Sequence, residues 1–280
     1  MILQGGTPAA PDSPFKMRNP FFLLLCASTL LSATLYAQPK AAYRAPRAAD
    51  GHPDLNGIWQ ALNTANSDLQ DHPSYGGPYY QMGSLGAVPA ARGVVEGGDI
   101  PYKPEALAQK KENFANRWKL DPEVKCYMPG IPRAAYMPFP FQIVQSASVI
   151  LMAYEYASTN RVINMGKPQE AAVDSWMGTA NGRWEGETLV VDNTGFNDLS
   201  WFDRAGDFHS DALHVVERYT RSGPDHITYE ATIEDPQVFT RPWKISMPLY
   251  RRVEKNAQLG EFKCVEYSEE LLYGDLRKKK

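Results

Sequence analysis

The sequence lacks the short motifs that mark several large enzyme classes. Its 280 residues contain no Gly-rich phosphate loop, no His-Glu-x-x-His, no Gly-x-Ser-x-Gly and no Cys-x-x-Cys. These motifs supply, respectively, a phosphate cradle, a zinc site, an acyl-transfer nucleophile and a pair of reactive or metal-binding thiols. Their absence argues against a nucleotide-dependent enzyme, a zinc protease and an α/β-hydrolase, and no cofactor or metal is indicated.

The chain also lacks a strong charge imbalance and a long apolar run. Its formal net charge of −3 does not suggest a nucleic-acid partner. The apolar run Phe21–Tyr36 follows Arg18, and small residues lead from it to Ala37. This pattern is typical of a secretory signal peptide and is short for a membrane span. We therefore expect a leader over residues 1–37 with Met17 as the true start; an uncleaved N-terminal anchor is the alternative.

Cysteine is scarce, and its distribution fits export. Of three cysteines, Cys26 lies in the expected leader, which leaves Cys126 and Cys264. In an oxidising compartment two such residues favour one intramolecular disulfide, and buried free thiols are the alternative. The bridge would stabilise the fold by roughly 4–5 kcal/mol on the chain-entropy model. The sequence thus predicts a periplasmic or secreted protein without a transmembrane span after processing.

After the expected leader, the chain is predicted to form one domain over residues 51–275. An Ala-, Pro- and Arg-rich linker precedes it over 38–50, and a basic tail follows it over 276–280. The N-terminal half of the domain is expected to be irregular. Its segment 121–140 contains five prolines, which exclude a helix there. We expect this segment to drape across the sheet and to be held by the disulfide.

One short helix is predicted over Pro104–Trp118. Proline suits the first turn of a helix, where its missing N–H is not needed. Leu107, Phe114 and Trp118 recur at helical spacing on one face. We interpret this stripe as a packing face rather than as part of a cofactor site.

After Pro140 the chain becomes rich in β-branched and aromatic residues separated by polar turns. Strands are predicted at 58–61, 141–145, 149–156, 161–165, 182–184, 187–192, 213–221, 227–234, 242–249 and 262–267. So many short strands indicate a mainly β fold, an antiparallel β-barrel or sandwich. The likeness to a lipocalin is an analogy of fold alone.

The clearest prediction is a hairpin of Leu213–Arg221 and Ile227–Glu234 around a Gly-Pro turn. Both segments alternate apolar and polar residues, so each has one buried and one solvated face. The register that keeps the faces matched pairs Arg221 with Ile227, Tyr219 with Tyr229, Glu217 with Ala231, Val215 with Ile233, Thr220 with Thr228, Arg218 with Glu230, and His214 with Glu234. This register places the acid Glu217 on the buried face.

Glu217 is therefore the first candidate for a catalytic residue. A buried carboxylate must be paired, bound to an ion or protonated, so Glu217 is either a site acid or base or part of a structural ion pair. The loop before the hairpin supplies His209 as a general base, Asp211 as its orienting carboxylate and His214 as a further candidate. A metal at these three loop residues is a weaker reading because they lack a recognised ligand spacing. Otherwise Asp211 belongs to a turn and His214 pairs with Glu234.

Aromatic residues near the hairpins suggest a binding pocket. Trp176 and Trp184 could line it while Arg183 holds an acidic group of an apolar ligand, although the two tryptophans could equally fill the core. Tyr219 and Tyr229 on the inner wall are candidates as well. The leading hypothesis is an exported β-barrel protein that binds a small, partly apolar molecule. An acid–base lyase, isomerase or hydrolase is the alternative, and an interaction module with an exposed apolar patch is a third possibility.

Four segments resemble a family of exported bacterial proteins of unknown function. They are Pro53–Trp59 (PDLNGIW), Pro140–Gln145 (PFQIVQ), Arg183–Asp192 (RWEGETLVVD) and His209–Arg218 (HSDALHVVER). The resemblance covers most of the chain after the expected leader. It implies export and a β-rich fold, and it carries over no catalytic residue.

Overall fold

Nine strands close into a barrel within residues 43–277, the part of the chain that this computed structural model describes. They are β1 (Gly57–Ala61), β2 (Phe141–Gln145), β3 (Val149–Tyr154), β4 (Asn160–Asn164), β5 (Thr179–Glu185), β6 (Thr188–Thr194), β7 (His214–Gly223), β8 (His226–Glu234) and β9 (Trp243–Arg251). Neighbouring strands are antiparallel except β4 and β5, which run parallel because the chain crosses back between them. The predicted mainly β barrel is confirmed, as a mixed sheet. The predicted leader lies outside the described residues.

Helices are few in the described residues. The predicted helix is confirmed as α1 (Pro104–Leu120), and a short α2 (Ser268–Tyr273) lies near the C-terminus. Short 3₁₀ segments occur at Tyr80–Gly86, Pro122–Lys125, Arg133–Ala135, Tyr156–Ser158 and Gly274–Leu276. Between residues 43 and 277, no helix combines the length and the apolar character that a membrane crossing requires.

The strand predicted at 262–267 is wrong. This segment is irregular and leads directly into α2. The last strand of the barrel pairs instead with the first, with Trp59 opposite Arg251 and Ala61 opposite Leu249. Closure uses both edges of the described sheet, so the segment after β9 has no open edge to join.

The hairpin β7–β8 pairs in the predicted register. The partners are Arg221 and Ile227, Tyr219 and Tyr229, Glu217 and Ala231, Val215 and Ile233, Thr220 and Thr228, Arg218 and Glu230, and His214 and Glu234. The inward side chains are buried and the outward ones are partly exposed. Register follows from the alternation because a slip of one residue would move every inward side chain to the solvent face.

One end of the barrel is closed by three connections, residues 62–140, 195–213 and 235–242, which together we call the cap. They leave β1, β6 and β8 and return to β2, β7 and β9. Each connection joins an antiparallel strand pair, and β1, β6 and β8 run in the same direction, so the three connections lie at the same end. Within the cap, the buried Tyr136 donates its hydroxyl to the carbonyl oxygen of Phe202 at 2.9 Å.

Helix α1 packs on the rest of the cap through a polar face. Its buried residues are Ala106 and Asn113, whereas Leu107 and Phe114 are 40% and 48% exposed. The predicted packing stripe is therefore wrong for these two residues. Gly206 approaches the helix so closely that an added Cβ would lie 2.9 Å from the Asn113 Cβ, and its φ of +87° also favours glycine.

Candidate functional site

Glu217 lies in the barrel interior with no exposed surface. Its Oε2 is 2.8 Å from Arg161 Nη1 and accepts a hydrogen bond from Asn193 Nδ2 at 3.0 Å. Its Oε1 accepts the hydroxyls of Tyr219 and Tyr229 at 2.8 and 2.9 Å. The carboxylate is therefore both ion-paired and hydrogen-bonded, which is the condition under which a buried charge is tolerated.

The same interior cluster keeps its donors protonated. Burial opposes the charge of Arg161, but the Glu217 carboxylate holds the pKa of Arg161 well above its usual value. Burial, reinforced by Glu217, raises the pKa of Tyr219 and of Tyr229 well above theirs. None of the four main pockets of the described residues is lined by these side chains. The geometry supports a structural ion pair and does not support Tyr219 and Tyr229 as ligand contacts.

His209 is buried in the cap. Its Nδ1 donates to the carbonyl oxygen of Ser210 at 2.8 Å, and its Nε2 lies 2.7 Å from Ser200 Oγ. A carbonyl oxygen only accepts, so the proton is on Nδ1 and Nε2 accepts the Ser200 hydroxyl. Burial lowers the pKa of His209, which keeps the ring neutral. The two side chains form a Ser–His pair, but both are 2% exposed and neither lines a main pocket of the described residues.

The other two loop candidates are on the surface. Asp211 is exposed and accepts a hydrogen bond from Gln237 Nε2 at 3.3 Å. His214 lies on the outer face of β7, with Nε2 3.2 Å from Asp192 Oδ1 and Nδ1 3.7 Å from Glu234 Oε2. These contacts match the structural reading of His214 as one of a cross-strand pair.

The predicted acid–base group is not assembled. Glu217 is inside the barrel, His209 is buried in the cap and Asp211 faces solvent, and each has different hydrogen-bond partners. A general base needs its orienting carboxylate within hydrogen-bond reach. Because the loop turns His209 inward and Asp211 outward, this geometry is missing. The metal reading of His209, Asp211 and His214 fails for the same reason.

Arg183 and Trp184 line a pocket of about 690 Å³ on the side of the barrel, which we call the side pocket. Trp184 stacks on His52 with ring centroids 4.7 Å apart. Arg183 is exposed and its Nη2 already pairs with Glu185 at 2.8 Å. Trp176, predicted to join them, does not line this pocket. Of the five predicted ligand contacts, only Arg183 and Trp184 therefore line this pocket.

A more aromatic cavity of about 540 Å³ lies between the cap and the C-terminal segment, and we call it the aromatic cleft. Phe139, Tyr156 and Phe262 form one wall, with ring centroids 5.0–5.7 Å apart. Tyr79 and Trp118 form another, with centroids 6.1 Å apart. Its size and aromatic lining are those of small-molecule sites.

Paired charges form the floor of the aromatic cleft. Arg204 Nε and Nη2 donate to the two Glu123 carboxylate oxygens, each at 2.7 Å. Arg133 Nη2 adds a third bond to Glu123 at 2.7 Å and also pairs with Asp121. Burial disfavours the charge of Glu123, but the guanidinium groups of Arg204 and Arg133 lower its pKa to about 2. The floor therefore stays ionised at neutral pH.

The predicted disulfide fastens the C-terminal segment over this cavity. Cys126 of the cap is bonded to Cys264, with Cα atoms 5.8 Å apart. Phe262 and Cys264 line the aromatic cleft. The Tyr267 N–H also donates to the carbonyl oxygen of Val124 at 2.7 Å. The bridge thus holds one wall of the cleft in place.

Sequence reasoning missed the residues that build the cleft. Glu123 and Arg133 lie in the proline-rich segment, and Arg204 pairs with Glu123 across 81 residues of sequence. No periodic pattern links positions so far apart. The available signal was the disulfide itself, because a Cys126–Cys264 bridge requires the C-terminal segment to lie on the proline-rich one.

Comparison with known proteins does not identify the chain. No protein-family model, no curated protein and no solved structure matches it. The resemblance to exported bacterial proteins stays a prediction, and function is argued from the geometry.

Proposed function

We propose that this chain is an exported β-barrel protein that binds a small, partly apolar molecule in the aromatic cleft. The observation that carries the proposal is a cavity of about 540 Å³ that combines six aromatic side chains with a floor of buried, paired charges. Aromatic walls bind flat apolar groups, and a few fixed polar groups orient them.

The polar groups of the cleft suggest what the other end of the ligand carries. The Arg204 side chain retains 27% exposure after pairing with both Glu123 and Glu269. An acidic group of a ligand could pair with the exposed part of the Arg204 guanidinium. The proposed ligand is therefore a compact aromatic or cyclic molecule with one polar or acidic end.

The barrel interior and the side pocket are weaker candidates for the binding site. The barrel interior is filled by the Glu217–Arg161 cluster, which leaves its polar atoms little to offer a ligand. The side pocket has one aromatic pair, Trp184 with His52, and its arginine is exposed and already paired. The aromatic cleft offers more apolar surface and better-fixed charges.

Export is part of the proposal. The Cys126–Cys264 disulfide suits an oxidising compartment, where such bridges persist. The leader pattern and the resemblance to exported proteins support the same location. We therefore propose a periplasmic or secreted protein.

The amphipathic dye 1-anilinonaphthalene-8-sulfonate, an aromatic sulfonate, is a suitable probe of the cleft. We expect its fluorescence to rise and shift to the blue on binding, with energy transfer from Trp118. Phe262→Ala and Trp118→Ala should each weaken dye binding about tenfold, because each removes an aromatic wall contact.

Trp184→Ala in the side pocket is the matched control and should leave dye affinity unchanged. Far- and near-ultraviolet circular dichroism must show native structure in every variant, since partly unfolded proteins also bind this dye. Loss of binding only in Trp184→Ala would move the site to the side pocket. Equal binding in all variants would refute the cleft.

A further inference from the structure

Three carboxylates from distant parts of the chain meet inside the cap. Asp68 lies in the connection after β1, while Asp203 and Asp207 lie in the connection before β7. One oxygen from each lies within 4.8 Å of the others. Asp203 and Asp207 have no exposed surface, and Asp68 is half-buried. None of the three lines the aromatic cleft or the side pocket.

Backbone donors fix the orientation of two of these carboxylates. Asp203 accepts the N–H of Leu69 at 2.8 Å and the N–H of Asp207 at 3.1 Å. Asp68 Oδ1 accepts the N–H of Gln70 at 2.9 Å. Such bonds hold carboxylates in the way that outer hydrogen bonds hold the ligands of a metal. The cluster is therefore a preorganised set of oxygens.

Asp207 leaves one oxygen without a donor. Its Oδ1 accepts the Tyr102 hydroxyl at 2.7 Å and lies 2.8 Å from Lys110 Nζ. Its Oδ2 is buried and has no hydrogen-bond partner within residues 43–277. One oxygen of Asp203 and one of Asp207 lie within 4.8 Å of each other. Two buried carboxylates this close need a proton or a cation between them.

The charges of the cluster favour a divalent cation as that occupant. Three carboxylates and the Lys110 ammonium sum to a net charge of −2. One proton would leave a charge of −1 in a buried place, whereas one divalent ion brings the cluster to neutrality.

We propose that Asp68, Asp203 and Asp207 form a binding site for a hard divalent cation, calcium foremost. Ligand sets made only of oxygen suit Ca²⁺ or Mg²⁺ rather than Zn²⁺ or Cu²⁺. Calcium is the better match because it tolerates irregular coordination, while Mg²⁺ demands a nearly ideal octahedron. The ion would tie the connection after β1 to the connection before β7. It would stabilise the cap independently of ligand binding in the aromatic cleft.

The test begins with purified protein treated with a chelator. Thermal unfolding is followed by circular dichroism as calcium or magnesium chloride is added. Terbium luminescence, excited through aromatic side chains, reports the site directly because the Tyr102 hydroxyl contacts Asp207. We expect calcium to raise the melting temperature and to displace terbium, and magnesium to act more weakly.

Two variants with a matched control decide the assignment. Asp207→Asn should weaken calcium binding at least about tenfold, since affinity follows the charge of the ligand set. Asp211→Asn removes an exposed carboxylate from the same connection and should change nothing. Lys110→Met removes the competing ammonium and should tighten calcium binding, a gain that remains measurable even where Asp207→Asn folds poorly.

Two results would overturn the proposal. An equal calcium response in Asp207→Asn and Asp211→Asn would place the ion elsewhere. Absence of a calcium response in both the wild type and Lys110→Met would leave a shared proton as the occupant of the cluster.

Discussion

At the scale of single residues, the buried Glu217 carboxylate in the barrel interior has hydrogen-bond donors on both of its oxygens. Glu217 receives donors from Arg161, Asn193, Tyr219 and Tyr229, and none of these side chains lies near the surface. A buried ion pair contributes little net stability compared with apolar packing, but removing one partner leaves the other charge uncompensated. Loss of the Glu217 charge is therefore most destabilising when Arg161 is still present.

This leads to a prediction for Glu217→Gln. The substitution keeps the shape of the side chain but leaves the Arg161 charge unpaired, so the free energy of unfolding should fall by about 3–5 kcal/mol. Urea denaturation followed by circular dichroism measures it. In the double variant Arg161→Met with Glu217→Gln, the free energy of unfolding should fall by less than the sum of the two single-variant losses. A Glu217→Gln protein more stable than the wild type would indicate instead that the acid is kept for activity.

At the scale of elements, α1 and the cap are joined by polar contacts. Asn113 Nδ2 donates to the carbonyl oxygen of Gly206 at 3.2 Å, and Gln109 Nε2 donates to Asn113 Oδ1 at 2.8 Å. Lys110 lies on the same face and reaches Asp207. The apolar Phe114 faces solvent, where the Arg117 guanidinium covers its ring at 4.0 Å. Hydrophobic periodicity therefore pointed to the less buried side of this helix.

The prediction at this scale compares two alanine substitutions one residue apart. Asn113→Ala should lower the free energy of unfolding by about 1–3 kcal/mol, because it leaves the buried Gly206 carbonyl without its donor. Phe114→Ala should change it by less than about 0.5 kcal/mol, because the ring is half exposed. Guanidinium denaturation of both variants gives the comparison. If Phe114→Ala lowered the free energy of unfolding more than Asn113→Ala, the apolar stripe would be the packing face.

At the scale of the whole molecule, the barrel is a frame and the cap is held on it by long-range charges and one disulfide. Glu123 joins Arg133 of the proline-rich segment to Arg204 of the connection before β7. The Cys126–Cys264 bridge spans 138 residues and contributes roughly 5 kcal/mol on the chain-entropy model. These links bring the walls of the aromatic cleft together.

At acidic pH, protonation of Glu123 should lower the free energy of unfolding. Its pKa is about 2 in the folded protein against an ordinary value of 4.5, so the unfolded chain takes up its proton first. The stabilisation is present above pH 4.5 and is lost as the pH falls toward 2; it amounts to about 3 kcal/mol. The difference in unfolding free energy between the wild type and Glu123→Gln should shrink over this interval. A constant difference from neutral pH to pH 2 would contradict the assignment.

The sequence by itself determined the features that depend on neighbouring residues. Alternation set the β7–β8 register and placed Glu217 inward, because the two faces of a strand differ in burial from one residue to the next. Proline placed the start of α1, and the count of cysteines left one possible bridge between Cys126 and Cys264. Each of these follows from local stereochemistry or simple counting.

The tertiary structure alone decided the sites. Whether Glu217 is an open acid or a sealed ion pair depends on Arg161, which lies three strands and 56 residues away in sequence. The aromatic cleft needs Glu123, Arg204 and Phe262 from three separate segments. Charges and rings so far apart leave no periodic trace in the sequence, because only the closure of the barrel and its cap brings them within a few ångströms of one another.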